Sequence, residues 1–191
     1  MKNINVKNIF NDEIMPLLNI GKYDLAEKKL KIMYLQNYSK LNDLEDKRLI
    51  AYNLSWLLAK QGRNEEAKHY LLDLKNEMEQ DKYYREEYEN KYCDLLMLYL
   101  EVDQDITREE YYNSCKMLND YYKKIHSKEH ELITLCNIAI IENDIDKINK
   151  ILIYLKENKD LKFARKEILS KINNNKGEKD YEKENYNCCK R

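Results

Sequence analysis

The sequence predicts an all-α protein built as an α-solenoid of about four helix hairpins with a C-terminal capping helix, and three observations lead there. One proline and three glycines among 191 residues are too few for the hairpins and bulges of a β protein. Apolar residues recur every three to four positions along most of the chain, the period of a helix with one buried face. A corner written GKYDLAEKKL from Gly21 returns 41 residues later as GRNEEAKHYL from Gly62. In both copies an alanine (Ala26, Ala67) follows the glycine by five residues, and a leucine (Leu30, Leu71) follows the alanine by four.

The first hairpin opens with IFNDEIMPLLNI, where Pro16 predicts a bent or short helix because proline removes a backbone donor. The second opens at Asn42, with Glu45 three residues on in a capping-box arrangement, and Ile50, Leu54, Leu57 and Leu58 form its buried stripe. After Gly62, Asn64 is the expected cap, with Glu65 and Glu66 at the positive end of the helix dipole and Ala67, Tyr70, Leu71 and Leu74 inside. The third pairs EEYENKYCDLLMLYLEV, carrying Tyr88, Tyr92, Leu95, Leu96 and Tyr99, with a helix capped by Thr107 and Glu110. The fourth pairs HELITLCNIAIIEN, with Leu132, Leu135, Ile138 and Ala139 inside, and DIDKINKILIYLKEN, capped by Asp144 over Ile148, Ile151, Leu152 and Leu155. Second helices thus start near 23, 64, 107 and 144, in steps of 41, 43 and 37, the near-regular spacing of a helical repeat. DLKFARKEILSK then suits a terminal helix capped by Asp160, with Leu161, Ala164, Ile168 and Ile172 on one side. One domain over 1–172 follows, and a polar tail over 173–191 is expected to be disordered.

Composition narrows the function classes. Lys and Arg number 34 against 35 Asp and Glu, a net charge of −1 with 36% of residues charged, which describes a solvated surface rather than a polycation for nucleic acid or an anionic membrane. The N-terminus has no apolar signal region and no stretch approaches the ~18 apolar residues of a spanning helix, so a cytoplasmic protein is expected. Cys93, Cys115 and Cys136 fall inside helical patterns as small core residues, while Cys188 and Cys189 sit in the tail as free thiols; no CxxC pair marks zinc.

No phosphate-cradling glycine loop and no GxSxG elbow is present among its three glycines. One zinc-protease pattern occurs, HSKEH at His126–His130, but Ser127 looks like a helix cap, so the two histidines straddle a turn. A non-enzymatic chain without cofactor or metal is expected. The 17 tyrosines suit contact surfaces and equally the half-buried wall of stacked helices.

The corner GKYDLAEKKL, with AYNLSWLLAKQGRNEEAKHYLLDL, resembles the tetratricopeptide repeat: a first helix, a glycine at the turn, then an alanine where helices approach closely. The match is best over 51–74, fair over 17–34 and architectural from 84 to 157. Steps near 41 exceed the family's 34-residue unit and look like the longer units of bacterial peptide-pheromone receptors built on TPR-like solenoids. The resemblance implies that first helices line a concave groove and that the partner is a protein or peptide.

On the helix from Asn42 the residues off the core stripe are Leu49, Tyr52, Asn53, Trp56 and Lys60, themselves at helical spacing. By the same resemblance the next first helices offer Asn90, Asp94 and Met97, then His130 and Asn137. An aromatic ring, an amide and a lysine make a serviceable peptide-contact strip. Packing of Leu49, Tyr52 and Trp56 on neighbouring helices is the competing account. A binding adaptor or sensor is therefore expected, against the alternative of a structural or inhibitory protein acting through its convex surface or by forming homo-oligomers.

Overall fold

The computed structural model describes residues 5–174, which are helical with no strand among them. They gather in two compact units, Met1–Ile106 and Thr107–Arg191. The first holds α1 (Val6–Ile9), a π-helical turn (Phe10–Ile14), α2 (Met15–Asn19), α3 (Tyr23–Asn37), α4 (Leu44–Lys60), α5 (Asn64–Gln80), α6 (Lys82–Glu87) and α7 (Glu89–Val102). The second holds α8 (Arg108–Lys124), α9 (Lys128–Glu142), α10 (Ile145–Glu157) and α11 over 162–174. The starts of α3, α5, α8 and α10 fall within one residue of those read from the repeat spacing. Of the tail expected over 173–191, residues 173 and 174 continue α11, and the remainder, with Cys188 and Cys189, lies outside the described residues.

The two glycine corners share one backbone solution. Gly21 and Gly62 adopt φ of 72° and 74°, the left-handed conformation that favours glycine. At each corner two amides turn back onto the end of the preceding helix. Gly21 N–H donates to Leu18 O at 3.1 Å and Lys22 N–H to Leu17 O at 2.9 Å; Gly62 and Arg63 do the same to Ala59 and Leu58, both at 2.9 Å. This is the Schellman pairing, which satisfies carbonyls the helix end would otherwise orphan.

The same pairing ends α8 and α9 without glycine. His126, at φ 56°, and Ser127 donate to Lys123 and Tyr122; Asn143, at φ 54°, and Asp144 donate to Ile140 and Ala139. His and Asn tolerate this region better than most residues, so the corner recurs where the sequence shows no glycine.

Pro16 breaks the first helix as expected. It sits in the first turn of α2, where its missing N–H is no loss, and upstream the chain widens into the π-helical turn, with Met15 N–H reaching Phe10 O. Thr107 and Asp144 cap α8 and α10, accepting from Glu110 N–H at 3.2 Å and Lys147 N–H at 2.9 Å.

Other expected caps move. Asp43, not Asn42, caps α4, accepting from Glu45 N–H at 2.7 Å, and the Glu45 carboxylate binds Lys91, Tyr84 and Arg48 instead of closing a box. Asn64 is the first residue of α5 rather than its cap. The Ser127 hydroxyl meets His130 Nδ1 at 2.9 Å and takes no backbone amide. The single helix expected through EEYENKYC is broken at Tyr88, between α6 and α7, while Asp81 caps α6 through Tyr84 N–H at 2.9 Å.

In the first unit α3 packs on α4, α4 on α5 and α5 on α7, and α4 also touches α1 and α7. Leu30, Ile50, Leu54, Leu57, Leu58, Leu71, Leu74 and Leu95 are fully buried between them, and Ala26 and Ala67 are buried at the corners. Tyrosines pin neighbouring helices through carboxylates: Tyr34 to Asp73, Tyr84 to Glu45 and Tyr92 to Glu79. In the second unit Leu132, Ile133, Cys136, Ile151, Leu155, Ala164 and Ile168 form the core of α9, α10 and α11, and Tyr112 donates to Glu142 at 2.7 Å. Cys93, Cys115 and Cys136 are buried free thiols, and burial pushes Cys136 up to about 11.

Glu27 joins α3 to the corner before α5. Burial opposes its charge, but hydrogen bonds from Lys31, Arg63 at 2.8 Å and Gln61 at 3.0 Å more than offset this and hold its carboxyl at about 2. A carboxyl held below its ordinary value of 4.5 stabilises the fold above that value and loses the contribution as pH falls toward 2. Glu27→Gln should therefore flatten the acid limb of a urea-stability profile over that window, and an unchanged limb would show that Glu27 is not so held.

The corners give a paired test. A Cβ added at Gly62 meets nothing within 4 Å, so Gly62→Ala isolates the backbone cost and should lower unfolding stability by about 1–2 kcal/mol. His126→Gly should move stability the other way, by up to about 1 kcal/mol. Urea denaturation reads both, and a neutral Gly62→Ala would remove the left-handed corner.

Candidate functional site

Helix α4 has two distinct faces. Ile50, Ala51, Leu54, Ser55, Leu57 and Leu58 are buried, while Leu49, Tyr52, Asn53 and Trp56 on the opposite side are half-buried and Lys60 is exposed. Both sets follow the helical period, so one helix supplies a core stripe and a second strip from a single run of sequence. Along α7, Tyr92, Leu95, Leu96 and Tyr99 are buried, whereas Asn90 and Asp94 are exposed, Met97 is half-buried and Glu101 is exposed. These four are spaced by four, three and four residues, which gives α7 a strip of its own.

Within the first unit the two strips meet electrostatically at Tyr52. Its hydroxyl proton is held more tightly than usual, chiefly by partial burial, then by the charges of Asp94 and Glu101, with Arg48 opposing. Partial burial also pushes the Asp94 carboxyl above its ordinary range, and Arg48 only partly offsets this. Arg48 is already engaged by Glu45 at 3.3 Å. Asp94 itself makes no ion pair or hydrogen bond among the described residues.

Trp56 lies further along α4. The Tyr23 ring meets it edge-on at 6.4 Å, and Lys60 Nζ stands 4.2 Å from its centre, a cation–π contact. The Asn53 amide donates to Leu49 O at 2.9 Å, which leaves its side-chain carbonyl as an acceptor. The strip thus offers two aromatic faces, an amide carbonyl, an exposed cation and an unpaired carboxylate.

His130 and Asn137 belong to the second unit and are occupied within it. His130 stacks on Tyr122 at 4.9 Å and approaches Phe163 at 5.7 Å, besides its contact with Ser127. Asn137 is buried, its amide 3.9 Å from Cys115 Sγ. In HSKEH, His126 sits outside α9 on a left-handed corner, so the two imidazoles do not share a helical face. Among the described residues no group of three His, Cys, Asp or Glu is placed to hold a metal ion. This unit also has an open pocket of about 450 Å³ lined by Arg108, Glu109, Tyr112, Ile141 and Glu142, whose Glu142 is paired with Lys147 at 2.7 Å.

The sequence reading named Tyr52, Asn53, Trp56, Lys60, Asn90, Asp94 and Met97 but not Tyr23, Arg48 or Glu101. Glu101 was within reach, because it continues the α7 spacing by one step. Arg48 and Tyr23 draw their roles from contacts between helices, which no local pattern records. No known protein family, curated protein or solved structure matches this chain. No helix among the described residues is long and apolar enough to cross a membrane.

An unpaired, partly buried carboxylate costs stability when charged. Because the Asp94 pKa is raised, the folded chain takes up this proton at higher pH than the unfolded chain, so the cost is present at neutral pH and fades toward 3.8, the ordinary aspartate value. Asp94→Asn should raise stability in urea at pH 7, with the gain vanishing below that value. A loss at pH 7 would mean that the carboxylate has a partner.

Proposed function

We propose that this chain is a non-enzymatic, cytoplasmic adaptor or sensor whose helix hairpins stack in the TPR-like manner and hold a protein or peptide segment along the strip on α4 and α7. The observation that carries this reading is the half-burial of Leu49, Tyr52, Asn53 and Trp56 opposite a separate, fully buried core stripe. Side chains present only to pack would be expected in the buried set. Large amphipathic rings that stay half-buried suit a contact surface at low entropic cost.

The residues bring affinity and orientation by different means. Tyr52 and Trp56 offer apolar area, Asn53 offers a carbonyl to a backbone amide, and Lys60 and Asp94 mark the strip with opposite charges. No nucleophile with an activating base and no cofactor cradle enters the proposal, which needs binding alone.

A second reading, self-association through the outer surface, has one observation in its favour. Leu25, Ile32 and Leu35 lie on one side of α3 and are 51%, 44% and 81% exposed, an apolar stripe at helical spacing. Light scattering over a concentration series separates the two readings, since a monomer throughout removes self-association.

The test of the first reading is affinity capture from native cell extract with wild type beside Tyr52→Ala, Asn53→Ala and Trp56→Ala. Each variant should lose captured partner while the helical melting transition shifts by no more than a degree or two, the effect of a sub-kcal/mol change. A large drop in melting temperature would return these side chains to a packing role.

A further inference from the structure

Resting on the proposed binding strip, we infer that its occupant is a basic segment of a partner protein, one that sets a lysine or arginine against Asp94 and an apolar or aromatic residue on Tyr52 and Trp56. The charge pattern around the strip carries this. In the first unit carboxylates are tied down by cations: Glu27 by Arg63 and Lys31, Glu45 by Lys91 and Arg48, and Glu77 by Lys47. Asp94, like Asp46 on α4, is not tied down in this way, and of the two it is Asp94 that lies exposed beside Tyr52 on the α7 strip.

The nearby cations are committed elsewhere. Arg48 and Lys91 are bound to Glu45, and the ammonium of Lys60 stands over Trp56. The largest charge felt at Tyr52 is accordingly that of Asp94, with Arg48 opposing it and Glu101 adding less. An incoming cation meets a carboxylate that lacks a partner and a tyrosine face whose quadrupole also attracts it. An acidic segment in that position would set like charges together, which discriminates against it more than the favourable pair adds to affinity.

Because Asp94 is exposed, its pairing with such a cation is a surface ion pair of modest worth, and the rings beside it supply the rest of the contact. The aromatic neighbours then place the anchor residue, so the recognised feature is a basic residue next to an apolar one.

The probe is a phage-displayed library of random dodecapeptides selected on the full chain, followed by fluorescence anisotropy with individual selected peptides. Selected sequences should share a lysine or arginine beside an aromatic or aliphatic residue, and changing that basic residue to glutamate should weaken binding by at least about fivefold. Asp94→Lys, checked for an unchanged circular dichroism melt, should weaken the basic peptides similarly and improve the glutamate-substituted ones. Trp56→Ala should weaken both kinds. Peptides that need Trp56 but show no basic preference, or indifference to Asp94→Lys, would overturn this inference while leaving the strip in place. A library that yields no Trp56-dependent binder would overturn the strip itself, and the inference with it.

Discussion

Everything in this fold depends on how a helix is ended. A helix that simply stops leaves carbonyls without donors, and a chain with one proline has few other means of forcing a reversal. Here one residue in the left-handed conformation lets two amides fold back onto the last turn, at Gly21, Gly62, His126 and Asn143 alike. The reversal fixes where the next helix begins, and so which of its residues face the previous one. At the first two corners the buried alanine five residues later, Ala26 or Ala67, permits close approach between helices. If the Gly62 corner were displaced by one residue, α5 would turn by about 100° and present a charged face to α4.

The tyrosine content and the charge content have a common explanation in these contacts. Helices that meet through leucine alone are free to slide, because apolar packing is not directional. A tyrosine contributes apolar area along most of its length and a hydroxyl at the end, and when that hydroxyl meets a carboxylate on the next helix the register is set. Tyr34 with Asp73, Tyr84 with Glu45, Tyr92 with Glu79 and Tyr112 with Glu142 all work in this way. Ion pairs such as Lys47 with Glu77 and Arg63 with Glu27 add to the same wall. A net charge near zero in a highly charged chain is what such pairing requires.

How much of this was legible in the sequence depended on how narrowly the physics constrains residue choice. Gly21 and Gly62 announced their corners because few residues tolerate that backbone, whereas His126 and Asn143 occupy the same conformation without advertising it. Pro16 was readable for the converse reason, since its ring forbids an unbroken helix. Caps slid by one residue at Asp43 because neighbouring Asn and Asp are both competent and the choice turned on where Glu45 was drawn. The break at Tyr88 carries no Gly or Pro and was invisible. At the strip, periodicity exposed Tyr52 and Trp56, and the repeat resemblance pointed to Asp94. The partners that give those side chains their character, Tyr23 and Arg48 among them, come from other helices or other helix faces, and only the folded chain assembles them.

The strip also raises a question of cost. A chain that ties several carboxylates to cations across helix contacts has the means to neutralise Asp94 as well, and an arginine or lysine on the facing turn of α4 would suffice. Arg48 is close enough to influence Asp94 but is held by Glu45, whose bonds to Tyr84 and Lys91 secure α6 and α7. Structural needs have therefore drawn the nearest cation away, and the residual charge lies beside the half-buried rings of Tyr52 and Trp56. Packing accounts for a buried ring and solvation for an exposed aspartate, whereas here half-buried rings and an aspartate without an ion pair stand on adjoining strips. On the proposed reading a single partner would meet both, because the contact that covers the rings would also supply the cation.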